Sequence, residues 1–260
     1  MTIREYIFLS AHLDDAVLSC AGMIKRLRDQ HYKVGVVTVF AGIPMLKAPP
    51  SQLIEEFHRL MGSSSRLVAQ RRAEDRRALA LLGAKCIQLN FLDCIYRRDL
   101  ASGEYYLKDM AEITGAIKEQ DVLLPAQIAQ ALRSLYPKRE RLYLYAPLAV
   151  GYHLDHRLLN RAALILLDQG YRLGLYEDYP YAEKDGATEE ALRNLRQKEL
   201  WHEKRVFLSK AESEAKIKAV MCYQSQLRML FKDEAVVHDR ILGFLSQRGG
   251  ERFWEYQTQP

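Results

Sequence analysis

The 260-residue sequence predicts a Rossmann-like, doubly wound α/β fold: a mostly parallel sheet, helices on both faces and a helical C-terminal extension. Two observations carry this. Five short runs rich in β-branched and aromatic residues are almost continuously apolar, as in KVGVVTVF at 33–40, which suits strands buried on both faces. Between them lie stretches of helical periodicity, so strand and helix alternate as in linked βαβ units. With 48% apolar residues the chain can bury one large core.

In chain order, the first strand is expected at Tyr6–Ala11, a helix at Ala16–Gln30 and the second strand at Lys33–Phe40. Ala41–Ser65 carries Pro44, Pro49, Pro50 and GSSS, and reads as a loop with a short helix, of the kind that often lines sites. A helix over Ala69–Leu82 stops at Gly83, the C-cap position. Then come a strand at Lys85–Phe91, a helix at Lys108–Gln120, a strand at Leu142–Leu148, a helix at Arg157–Gln169 and a strand at Arg172–Glu177. From Thr188 the pattern is helical, with Ser209 and Glu212 as a capping box ahead of IKAVMCYQSQLRMLF. Ile217, Val220, Met221, Leu227 and Phe231 share one face there, a core stripe. No repeat or low-complexity tract interrupts the chain. The expectation is one domain over 1–260, with an α/β core at 1–183 and a mainly helical extension at 184–260.

Several classes are disfavoured. No stretch of 18 apolar residues would insert into a membrane. The N-terminus lacks a small-residue cleavage site and runs into charged residues, so it reads as a strand and not a signal peptide. Cys20, Cys86, Cys94 and Cys222 form no C-x-x-C pair, so free thiols in a reducing cytoplasm are expected and a thiolate zinc site is not. Net charge is +5, with bases and acids interspersed as in RRAEDRRALA, a solvated helix face and not a nucleic-acid patch.

The chemistry is concentrated in two clusters. AHLDD sets His12, Asp14 and Asp15 where the first strand ends. Adjacent carboxylates repel, so the arrangement costs stability unless a cation or a reaction uses it. The carboxyl ends of strands are where open α/β sheets bind ligands. His12 and Asp15 are three apart and a turn can aim both at one point, while Asp14 projects elsewhere. A second cluster, HLDH, puts His153, Asp155 and His156 at another strand-to-helix junction. Taken singly, the aspartates could cap a helix and the histidines could be core residues. Taken together at matched positions, they favour a site for zinc or a related divalent metal. His31, His58, His202 and His238 lack carboxylates at short spacing and read as surface or packing residues.

These paired motifs, in this order, resemble the LmbE-like or PIG-L-type N-deacetylases, whose pattern is His-x-Asp-Asp after strand one and a later His-x-Asp-His. RRAEDRRALALLGA resembles a further family segment through Arg71, Glu74, Leu82 and Gly83. FLD at 91–93, YEDYPYA at 176–182 and KAVMCYQSQL at 218–227 look like others. Leu13 replaces the usual proline, Ala16 a frequent glutamate, and Ala21-Gly22 the usual Gly-Gly. None of these removes a ligand, but they point away from the best-known thiol-pathway branches. The resemblance implies that His12, Asp15 and His156 bind Zn2+, or another divalent metal such as Fe2+. It implies Asp14 as general base, His153 as oxyanion stabiliser or acid, and Asp155 as the residue that orients His153. Arg71 and Asp93 match positions lining the substrate pocket.

The expected activity is removal of acetate from an N-acetylated amino sugar or glycoconjugate. Three protein ligands leave metal positions open for activating water and polarising an amide carbonyl. An amidase that cleaves a larger sugar–thiol conjugate uses the same chemistry. A non-haem Fe(II) oxygenase also uses two histidines and a carboxylate, usually from antiparallel strands, and gives Asp14 no task. A sugar-binding protein without catalysis is disfavoured because every expected catalytic position is filled.

Overall fold

The computed structural model describes residues 3–45, 50–61, 66–99 and 101–257. The apolar runs form five parallel strands: β1 (Glu5–Ser10), β2 (Lys33–Thr38), β3 (Lys85–Gln88), β4 (Leu142–Pro147) and β5 (Arg172–Tyr176). Each ends one to three residues before the apolar run does, although single cross-strand bonds such as Val39 N–H to Ser10 O and Leu89 N–H to Thr38 O continue past the ends. The helices are α1 (Asp15–Asp29), α2 (Gln52–Leu60), α3 (Leu67–Leu81), α4 (Leu124–Leu135), α5 (Leu154–Asp168), α6 (Ala187–Arg193), α7 (Lys210–Val220), α8 (Gln224–Phe231) and α9 (Val237–Arg248).

Strand order is β3-β2-β1-β4-β5-β7-β6, where β6 (Trp201–Val206) and β7 (Glu251–Tyr256) complete one edge. Winding reverses between the neighbours β1 and β4, so a crevice opens beyond their carboxyl ends. Alternate residues of β1 feed separate cores, as both-face burial requires. Ile7 and Leu9 pack with α4 and α5, whereas Phe8 packs with α1, α3, α7 and α9.

The C-terminal segment differs from the helical pattern expected of it. It carries α6 to α9, but β6 and β7 pair antiparallel, and β7 pairs antiparallel with β5. In β6, WHEKRV exposes its four central residues, so it lacks the apolar run of a central strand. The helix expected at Lys108–Gln120 is absent: only short 3-10 turns form at Ala111–Thr114 and Glu119–Asp121, separated by Gly115. The helix lies further on as α4, with Pro125 in its first turn and Ile128, Ala129 and Leu132 buried. Ser209 and Glu212 form the expected capping box at α7. The expected stripe is divided between α7 and α8, with Val220, Leu227 and Phe231 buried. The short helix expected in the proline-rich loop is α2; Pro49 and residues 62–65 lie outside the described residues. Among the described residues no helix is long and apolar enough to cross a membrane.

Candidate metal centre and active site

The two clusters meet at the switch point. Residues 12–15 follow β1 and residues 153–156 follow β4, and the rings of His12, His153 and His156 lie with centroids 4.7–5.3 Å apart. Asp14 occupies the N-cap of α1, yet its side chain makes no cap hydrogen bond, so helix capping does not account for it. The loop that delivers the second cluster is strained: Ala149, Gly151 and Tyr152 all have positive φ. A Cβ at Gly151 would stand 2.6 Å from the Tyr181 ring, so only glycine lets this loop close on Tyr181, which packs edge-on against His156.

Asp15 is the hub. Its Oδ2 accepts from the His12 backbone N–H at 2.7 Å, and lies 3.3 Å from His12 Nδ1 and 3.2 Å from His156 Nε2. Each ring turns its other nitrogen to a buried carboxylate: His12 Nε2 to Asp155 Oδ2 at 3.0 Å, and His156 Nδ1 to Asp178 Oδ1 at 2.7 Å. With both rings neutral, as metal ligation requires, that pairing would leave a lone pair on each nitrogen facing Asp15, the carboxylate–histidine–metal pattern. His156 Nε2 is buried and has no hydrogen-bond partner among the described residues. Two convergent imidazoles, one of them with its facing nitrogen unsatisfied, and a carboxylate form a donor set that fits a divalent metal.

Electrostatics divide the groups. Burial alone would raise the Asp15 carboxyl, but His156 and His12 hold it well below the usual range. Burial would lower both histidines; instead Asp93 and Asp15 raise His12, while Asp15 and Asp178 push His156 up to about 10. His153 is lowered well below its usual value by burial and by the other two rings, and so stays neutral. Burial and neighbouring Asp15 push Asp14 up to about 7, against the pull of Arg71 and His12. The resulting pair is one firmly ionised carboxylate beside one poised near neutrality.

A cavity of about 260 Å³ lies over the cluster. His12, Asp14, Asp15, Arg71, Asp93 and His153 line its polar floor, while Phe57, Met61, Met110, Ile113, Met229 and Leu230 form apolar walls. Arg71 Nη2 is 3.7 Å from Asp14, and its buried Nε has no hydrogen-bond partner among the described residues. Its helical neighbour Glu74 instead accepts from Ser225 Oγ at 2.6 Å and Ser225 N at 3.1 Å, so Arg71 is free to face the cavity. Asp93 Oδ2 lies 3.7 Å from His12 Nε2.

One placement differs from expectation. The Asp155 carboxylate faces His12 and not His153; only its backbone N–H serves His153, donating to Nδ1 at 3.2 Å. The reason is local: His153 is the N-cap of α5, so its ring turns onto the first helical N–H groups, and Arg97 and Cys94 N hold the carboxylate inward. Asp178 and Arg97 were not anticipated from sequence. A pair of acids after β5, Glu177 and then Asp178, at the same sheet edge as the two clusters, is the signal that points to Asp178.

The PIG-L family model, GlcNAc-PI de-N-acetylase, matches residues 7–167. The 2'-N-acetylparomamine deacetylase of Niallia circulans is 32% identical over 98% of this chain and 92% of its own. That of Streptomyces fradiae is 32% identical over 75% of this chain and 67% of its own. The crystal structure of the zinc-inhibited form of teicoplanin deacetylase Orf2 superposes with a TM-score of 0.83, at 28% identity and 98% coverage of both chains. With the fold, the convergent donor set and these relatives in agreement, the chain belongs to the PIG-L family and is a hydrolytic N-deacetylase.

Proposed function

We propose that this enzyme is zinc-dependent, that His12, Asp15 and His156 hold the metal, and that it removes acetate from an N-acetylated amino sugar or glycoconjugate. The observation that carries this reading is the geometry about Asp15 Oδ2. Its 3.3 Å and 3.2 Å separations from the two ring nitrogens match the ~3.3 Å edge of a tetrahedron with ~2.0 Å bonds. When bound, zinc supplies Lewis acidity toward the amide carbonyl and makes water acidic near neutral pH.

The remaining work falls to side chains. Asp14 accepts a proton from the attacking water as its oxygen bonds to the amide carbon. His153 accepts at Nδ1, so the neutral ring carries its proton on Nε2 and donates to the developing oxyanion. The C–N bond then breaks, the proton held by Asp14 passes to the amine nitrogen, and acetate and a free amino sugar leave. Arg71, whose Nε has no hydrogen-bond partner among the described residues, and Asp93 hold sugar hydroxyls from the cavity floor. A cavity of about 260 Å³ is small for a ligand site, and so admits one sugar ring with its acetamide, any further group extending along the apolar walls. We further propose a single catalytic domain that works in the cytoplasm, consistent with four unpaired cysteines.

The test is a panel of N-acetylated sugars, nucleotide sugars and lipid- or peptide-linked sugars, incubated with metal-free and zinc-loaded enzyme and assayed for amine and acetate. Zinc-dependent release of both in equal amounts supports the proposal. Release of a larger acid, or turnover that requires oxygen, overturns it.

A further inference from the structure

The irregular segment between β3 and α4 buries a cation that the chemistry above does not use. Arg97 is 8% exposed and does not line the catalytic cavity. Its Nη2 ion-pairs with Asp155 Oδ1 at 2.7 Å and Asp121 Oδ2 at 3.0 Å, without hydrogen-bond alignment to either, and its Nη1 donates to Leu92 O at 3.3 Å. Its Nε donates to the Tyr106 hydroxyl, which in turn donates to Asp121 Oδ2. The guanidinium also lies over the Phe40 ring, 5.3 Å from its centroid. Asp155 is fully buried, with one oxygen on Arg97 and the other on His12 Nε2 and Cys94 N.

From this we infer that Arg97 is a positioning residue for metal binding: with Asp121 and Tyr106 it clamps the carboxylate that sets the ring of His12. The inference rests on His12 being a metal ligand, as proposed above. A carboxylate with one oxygen ion-paired to a buried guanidinium and the other accepting from a backbone N–H is restrained, and the imidazole that donates to it is restrained with it.

Loss of an outer partner of a metal-binding histidine typically weakens metal affinity about 10–100-fold. Zinc affinity is to be measured by competition with a chromophoric chelator on the full chain, for wild type, Arg97→Gln, Arg97→Lys, Asp121→Asn and Tyr106→Phe. The visible spectrum of the Co2+-loaded proteins reports the ligand geometry. Arg97→Gln, one contact beyond the Asp155 partner of His12, should lose up to about 10-fold in zinc affinity and change the cobalt spectrum. Arg97→Lys should recover part of that loss, and the other two should lose less in the same direction. Substrate KM at saturating zinc should not change. If Arg97→Gln does not fold, Asp121→Asn and Tyr106→Phe carry the test. Variants that melt earlier but bind zinc as wild type does overturn the inference and leave Arg97 a structural ion pair. A wild-type chain that takes up no zinc overturns the reading of the centre, and this inference with it.

Discussion

Replacing Asp14 by asparagine separates its chemistry from its effect on stability. The change keeps side-chain size but removes the proton acceptor. General-base catalysis is worth roughly 10²–10⁴ in rate, or about 2.7–5.5 kcal/mol, and turnover should fall by that factor with zinc content unchanged. Stability of the metal-free protein should move the other way. Asp14 is buried beside Asp15, and burial with that neighbour moves its carboxyl from 3.8 to about 7. Between those values the folded state binds a proton that the unfolded state has lost, so stability falls as pH rises through the window. Ionised Asp14 thus costs the metal-free fold on the order of 4 kcal/mol, the pull of Arg71 being already contained in that value. Metal-free Asp14→Asn should therefore melt above wild type at pH 8, and the two should converge below pH 4. The assays are acetate release at matched zinc content and thermal melting of metal-free protein across pH. A variant that keeps most of its turnover, or loses its zinc, refutes the assignment of Asp14 as the base. Melting below wild type at pH 8 refutes the electrostatic account.

Other residues give sharper contrasts. His153→Ala should lower turnover about 10²–10³-fold while retaining metal, because it removes an oxyanion donor; elemental analysis showing lost metal would make His153 a ligand. Arg71→Ala should raise KM more than it lowers kcat, since its Nε has no hydrogen-bond partner among the described residues and Glu74 is engaged by Ser225; a lowered melting temperature with unchanged KM would mark a structural role instead. Glu212 is drawn down to about 2, chiefly by hydrogen bonds from Arg26. Its folded value lies below its ordinary 4.5, so its contribution is full above pH 4.5 and lost as pH falls toward 2. Glu212→Gln should cost about 1–2 kcal/mol at pH 7 and little at pH 2.5, as read by denaturant unfolding.

How far sequence reaches here depends on whether local pattern and tertiary role agree. The five parallel strands are legible because burial on both faces forces continuous apolar runs. The ligands proposed here are legible because adjacent carboxylates beside a histidine at a strand end have no cheap structural purpose. The outer edge is not legible in the same way. Solvent-facing Glu203 and Lys204 in β6 match no central-strand pattern, and the pairing of β7 with both β5 and β6 is decided across the sheet. The expected helix at Lys108–Gln120 failed because Met110, Ile113 and Ile117 have helical spacing, yet Met110 and Ile113 wall the cavity. Proximity in sequence pairs the Asp155 carboxylate with His153, whereas the fold gives it to His12. Three dimensions bring Arg97 and Cys94 to its carboxylate and turn it to His12.

The central claim is that one metal, held by His12, Asp15 and His156, makes this enzyme a deacetylase. Its most direct test is titration of metal-free enzyme with Zn2+ while following acetate release from an N-acetylglucosaminide, alongside Asp15→Ala. Activity should rise linearly, reach its maximum at one zinc per wild-type chain, and remain absent in Asp15→Ala, which should also fail to retain the metal. Full activity in metal-free enzyme, or a zinc-retaining and active Asp15→Ala, would contradict the account.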